Sequence, residues 1–141
     1  MSEIKYKTWI SEAWNDYGAG KILTITRKYN LAAFHFAQAA EKAIKALLHY
    51  IGEDPWGHEI FNLLLELEKK GSKISDKLKT SAKELEKAYF ESRYPELTLT
   101  TGPKDTFKRR DANEFHKKAK EIMNFIETEK ARLHGKSSGI P

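Results

Sequence analysis

The chain has no cysteine among its 141 residues. Disulfides, thiolate nucleophiles and cysteine-based zinc sites are excluded, and an intracellular, cytoplasmic setting is expected. No apolar run is long enough to span a membrane, and MSEIKYKTW at the start lacks the apolar stretch of a signal peptide, so neither feature is expected. The five histidines, at 35, 49, 58, 116 and 134, include no i, i+4 pair with the glutamate of a metalloprotease helix. No metal centre and no cofactor are expected. Gly135-Lys136-Ser137 resembles the end of a phosphate-binding loop, but the glycine spacing before it, the strand and the following helix are missing. Helix-turn-helix and zinc-finger spacings are also lacking, which argues against sequence-specific DNA reading.

What is present is helical periodicity. From Asn30 to Gly52, small and apolar residues recur on more than one face: Ala33, Phe36, Ala37, Ala40, Ala43, Ile44, Leu47, Leu48 and Ile51. Gln38, Glu41, Lys42 and Lys45 mark a narrower polar side, so this is the central helix of a bundle. Before it, Trp9, Ala13, Tyr17 and Leu23 predict a first helix over about 6–28, with Gly18 and Gly20 permitting close packing. Tyr29-Asn30 reads as a short turn, with Asn30 capping the central helix.

Gly52 and Pro55 end the central helix, and Ile60, Phe61, Leu64 and Leu67 form a third helix ending at KKG, 69–71. Leu78, Ala82, Leu85 and Tyr89 predict a fourth from Ser75 to about Glu91. Residues 92–107 contain Pro95, Gly102 and Pro103 and read as a long loop, extended or briefly a strand around Leu97 and Leu99. Ala112, Phe115, Ala119, Ile122 and Ile126, with Met123 beside them, form the inward face of a last helix from Arg109 to about Leu133. The expected fold is all-α, an up-and-down bundle of four to five helices with a long loop before the last. Residues 1–134 make one domain, and 135–141 a flexible tail.

Charge is unevenly placed. The net +5 falls entirely in the second half, where residues 71–141 hold 16 Lys and Arg against 11 Asp and Glu. Such a field suits an acidic partner or a phosphate backbone, although lysine-rich solvated helix faces give the same count.

Among the candidate reactive residues, His35 and His49 lie on the crowded central helix and read as packing groups. His58, after Trp56-Gly57, reads as bracing the start of the third helix, with a site role as the alternative. His116 has neighbours suited to chemistry. Arg109 lies two turns earlier, about 10 Å along an ideal helix, so Arg109, Asn113, His116 and Lys120 form one stripe with Arg110 to its side. A histidine there moves a proton to or from a ribose 2′-hydroxyl or leaving oxygen, and an arginine holds the phosphate, without a metal. An amphipathic helix places the same residues beside its core stripe. Arg93 and Tyr94, at a helix-to-loop junction, form a second phosphate- or nucleotide-binding candidate; their alternative role is to end the fourth helix. Trp14, Tyr50, Trp56 and Tyr89 read as core aromatics rather than a base-stacking set.

The AAEKAIKALL core, followed by Gly57-His58, then Arg93-Tyr94-Pro95 and a last helix with Ala112 and Ala119, resembles the HEPN family, in its small RYP-bearing prokaryotic type. That resemblance covers most of the chain. It implies a helical bundle, commonly a homodimer, in a family first named for proposed nucleotide binding. Many of its members cleave RNA through an arginine, four to six residues, and a histidine; others accompany a small nucleotidyltransferase in paired modules of the toxin–antitoxin kind. The resemblance places His116 as acid/base, Arg110 or Arg109 as phosphate-binding group, and Asp111 as an orienting residue. Three functions follow as expectations: metal-independent RNA cleavage, noncatalytic control of a nucleotidyltransferase, and nucleotide binding without turnover.

Overall fold

A computed structural model describes residues 2–94 and 102–137. Among these residues six helices follow one another: α1 (Ser2–Ile25), α2 (Tyr29–Tyr50), α3 (Ile60–Lys69), α4 (Asp76–Glu91), α5 (Pro103–Thr106) and α6 (Arg109–Ser137). Among the described residues there is no strand. Helix α2 packs against all five others, which is why its apolar residues wrap around more than one face. Phe36, Ile44, Leu47 and Leu48 are fully buried on it, and Leu64 and Leu67 of α3, Leu85 of α4 and Ile122, Met123 and Ile126 of α6 close the core.

The close approach of α1 to α2 depends on Gly20. A Cβ at that position would stand 2.6 Å from the Phe36 ring, whereas Gly18 has open space around it. Only one of the two glycines therefore serves the packing. At the other end of α2, Gly52 takes the left-handed conformation (φ 92°) that stops the helix. Gly71 does the same after α3 (φ 111°), and the Ser75 side chain caps α4 by accepting from the Leu78 amide at 3.1 Å.

Several local expectations need correction. Helix α1 starts at Ser2 and stops at Ile25, and a left-handed Arg27 (φ 65°) turns the chain so that α2 begins at Tyr29. Asn30 is thereby inside α2 rather than at its cap, and its side chain donates instead to the Ser92 carbonyl at 3.2 Å, tying α2 to the end of α4. Within the expected loop, Pro103–Thr106 form a short helix, with proline at its first turn where a missing N–H costs nothing. Helix α6 runs through Gly135 to Ser137, into the stretch read as a tail. Pro95, Leu97 and Leu99, and the tail beyond Ser137, lie outside the described residues. Trp56 is not a core residue: it is 87% exposed in the α2–α3 connection.

Candidate functional site

Two groups of polar side chains stand out, on different sides of α2. The first lies where α6 crosses α1. Its centre is His116, whose Nε2 shares a hydrogen bond with the Tyr17 hydroxyl. The imidazole lies nearly parallel to the Phe36 ring, centroids 5.2 Å apart at 11°, and meets Tyr17 at 5.0 Å. Gly20 supports this niche indirectly, by letting α1 sit against Phe36. Burial, together with the charges of Lys21 and Lys120, lowers the His116 pKa, so the ring is biased toward its neutral form.

Arg109 occupies the same side of α6. Its Nε donates to the Tyr29 hydroxyl at 3.1 Å, and its guanidinium stands 6.0 Å from that ring's centroid. Asn113 and Lys120 are exposed on the intervening and following turns. Arg110 and Asp111 turn elsewhere. Both line a groove of about 540 Å³ between α4 and α6, with Glu84, Lys87, Phe107 and Phe115. The cause is helical geometry, since Arg110 stands about 120° around the axis from His116 whereas Arg109 is within about 20°. Asp111 also steadies the helix locally, because its carboxylate accepts from the Lys108 amide at 2.8 Å, one half of a capping box at the start of α6.

The second group is assembled from three helices and a connection. Glu41 on α2 is nearly sealed, its side chain 3% exposed, and it accepts from Lys45 Nζ at 3.1 Å. Nδ1 of His58, from the α2–α3 connection, reaches the same carboxylate at 3.1 Å, while its side chain remains 55% exposed. That ring stacks on Tyr89 of α4 (5.2 Å, 18°), and Tyr89 in turn packs on Phe34 at 5.4 Å. The Arg93 guanidinium lies 4.8 Å over the Phe34 ring and 5.6 Å from that of Tyr94. Burial raises the Tyr89 pKa, with Glu41 adding to the rise, so the phenol stays protonated at neutral pH. On the α1 side, Lys45 reaches over Trp9 at 5.6 Å.

The structure thus brings Arg93, Tyr94 and His58 into one neighbourhood and joins them to Glu41, Lys45 and Tyr89, residues that the sequence pattern alone assigns to a solvated face or to the core. A signal is nevertheless present. In AQAAEKAIKALL the charges at 41 and 45 are one turn apart among residues that pack on nearly every side, so a solvated face has little room. Tyr17 gives no comparable signal, because its link to His116 joins residues 99 positions apart.

The other histidines have identifiable partners. His35 and Lys42 both reach Asp16, at 2.9 and 2.6 Å; burial raises that carboxyl's pKa, but the bonds from both partners outweigh it and hold it below the usual value. His49 stacks on Trp9 at 5.4 Å, and burial lowers its pKa. Among the described residues no group of three or more His, Asp or Glu is placed to hold a metal ion, and no helix is long and apolar enough to cross a membrane.

A family model described as the HEPN domain matches residues 6–130. Solved structures agree with it. The crystal structure of TT1696 from Thermus thermophilus is 29% identical, with a TM-score of 0.85 over 88% of this chain and 97% of that one. ST0689, an archaeal HEPN homologue, is 31% identical over 88% of this chain and 96% of its own, with a TM-score of 0.75. An HEPN domain protein from Thermotoga maritima is 29% identical over 89% and 98%, with a TM-score of 0.73. Among curated proteins none matches significantly.

Proposed function

The chain belongs to the HEPN domain family, and from that premise we propose that it acts on RNA, cleaving it without a metal at the α6 face. One observation carries this reading: His116 is a neutral-biased imidazole, braced by Tyr17 and Phe36 and set between two lysines. A group of that kind takes a proton from a 2′-hydroxyl near neutral pH, and positive charge beside it attracts the phosphate. The 2′-oxygen then bonds to phosphorus, the bond to the 5′-oxygen breaks, and that oxygen gains a proton. The products are a 2′,3′-cyclic phosphate and a 5′-hydroxyl. Arg109 is the preferred phosphate group because it shares the His116 side; Lys120 and Asn113 extend the same surface. Arg110 is the alternative, and Asp111 serves it by holding the first turn of α6.

A homodimer fits this chemistry, since a twofold axis can place two α6 faces together and double their charge. Ile22 and Ile25 at the end of α1 and Leu31 at the start of α2 are 63%, 79% and 43% exposed, an apolar corner suited to a protein contact. The same corner favours the rival reading, a noncatalytic subunit that holds a small nucleotidyltransferase. Nucleotide binding without turnover is the third reading, and Arg93 and Tyr94 beside His58 support it.

The test is incubation of structured and single-stranded RNAs with the protein in chelator. Wild type is expected to cleave, His116→Ala to lose about 10²–10⁴-fold in rate, and Arg109→Ala to lose more than Arg110→Ala. Equal, negligible turnover in every sample would remove the enzyme reading. Sedimentation would then decide whether the apolar corner meets a second copy.

A further inference from the structure

We propose that Tyr17 is the positioning residue for His116: by holding Nε2, its hydroxyl makes Nδ1 the nitrogen that meets the substrate, and it supports the ring once a proton has been taken. The inference deepens the cleavage reading above and rests on it for the chemistry, whereas the hold on the ring can be measured without RNA.

Geometry supplies the first argument. Among the described residues the His116 imidazole has a single hydrogen-bond partner, the Tyr17 hydroxyl at Nε2. Nδ1 has none and is open to solvent. Since Nε2 is already taken by α1, Nδ1 is the end of the ring that a ribose 2′-hydroxyl can reach. Tyr17 is itself well fixed. It is buried, and its ring stands edge-on to Trp14 (5.2 Å, 83°) and to Phe36 (5.7 Å, 62°). Burial raises its pKa, so the phenol keeps its own proton at neutral pH.

Charge supplies the second argument, because a base must hold the proton it takes. The charged groups that bear on His116 are Lys21 of α1 and Lys120 of its own helix, and both oppose an imidazolium; α2 presents only the Phe36 ring. Among the described residues no carboxylate pairs with His116, which leaves the Tyr17 oxygen as the hydrogen-bonding group in place to support the charge. When Nδ1 takes the proton of the 2′-hydroxyl, Nε2–H donates to that oxygen, and the phenolic O–H turns aside. A hydrogen bond from a charged donor is about twice as strong as one between neutral groups, so this bond tightens as the charge appears. As the 2′-oxygen bonds to phosphorus and the bond to the 5′-oxygen breaks, the ring gives its Nδ1 proton up through solvent to the departing oxygen. It is then neutral again, and Tyr17 has neither gained nor lost a proton.

Tyr17→Phe removes the hydroxyl and keeps the edge contacts to Trp14 and Phe36, so the variant is expected to fold, as circular dichroism checks. Proton–nitrogen NMR spectra of RNA-free protein carrying isotope-labelled histidine report which ring nitrogen bears hydrogen and where each histidine titrates; His116→Gln identifies the signal. The neutral ring is expected to carry its hydrogen on Nε2, and to titrate at lower pH in Tyr17→Phe than in wild type. In single-turnover cleavage, Tyr17→Phe is expected to lose about tenfold in rate, with the acidic limb of its pH profile moved in the same direction. Loosened packing alone would lower the rate without moving that limb. A neutral ring protonated at Nδ1, an equal or higher titration point in folded Tyr17→Phe, or an unmoved limb in a cleaving enzyme would overturn the proposal. Spectra as expected beside a wild type that cleaves nothing would uphold the hold of Tyr17 on the ring and remove the cleavage reading alone.

Discussion

His116 and His58 are both held against an aromatic ring, yet what surrounds them differs. At His116 the partner is a neutral phenol, and burial together with the nearby charges of Lys21 and Lys120 disfavours the imidazolium. At His58 the partner is a sealed carboxylate that already has its own lysine. The first arrangement keeps the ring neutral; the second holds a ring against a buried carboxylate. In one small bundle, the same side chain is kept neutral in a niche at one place and tied to a buried carboxylate at another, according to what lies behind it.

The largest expected effect that sharpens this comparison is structural. Glu41→Ala strands Lys45 in the interior and should cost about 3–5 kcal/mol of stability, measured by urea unfolding, with Lys45→Met in the same chain recovering much of the loss. His116→Ala, in contrast, strands no charge and should leave the unfolding midpoint much closer to wild type. Comparable losses in the two variants would erase the distinction.

The next effect concerns the support behind His116. Gly20→Ala gains helix propensity but drives its Cβ into the Phe36 ring, and a net loss of about 1–3 kcal/mol is expected. Gly18→Ala, on the same helix with open space around it, should stabilise by about 0.5–1 kcal/mol. Opposite signs in thermal melts support the packing account, and equal signs count against it.

The smallest effect is the pH dependence of stability. His116 and His49 both have lowered pKa values in the folded chain, so near and below about pH 6.5, the ordinary histidine value, the unfolded state binds more protons. Stability is then expected to fall as the pH drops from about 7 through that value toward the lowered ones, and to level off below them. His116→Gln should flatten that slope. A slope unchanged in the variant would show that the niche does not act on the ring.

Much of this architecture could be read along the chain because it is local. The wrapped apolar pattern of α2, the left-handed Gly52 and the end of α3 at residues 69–71 each depend on neighbours within a few residues. The failures share the opposite character. Asn30 bonds to a carbonyl 62 positions away instead of capping its own helix, and Arg27, a residue type that seldom takes positive φ, makes the turn. Arg110 and His116 satisfy a spacing, but a helix turns them to different flanks, which motif counting ignores. Glu41 and Lys45 read as solvated because charges usually are; the loop carrying His58 and the side chain of Tyr89 shut them in.

Single-turnover cleavage of a 2′-hydroxyl RNA in chelator, with the new ends identified, tests the central division of labour most directly. Wild type and Arg93→Ala should both produce 2′,3′-cyclic phosphates at saturating protein, whereas His116→Ala should fall by at least about 100-fold. Undiminished cleavage by His116→Ala, or its complete loss only in Arg93→Ala, would contradict the account.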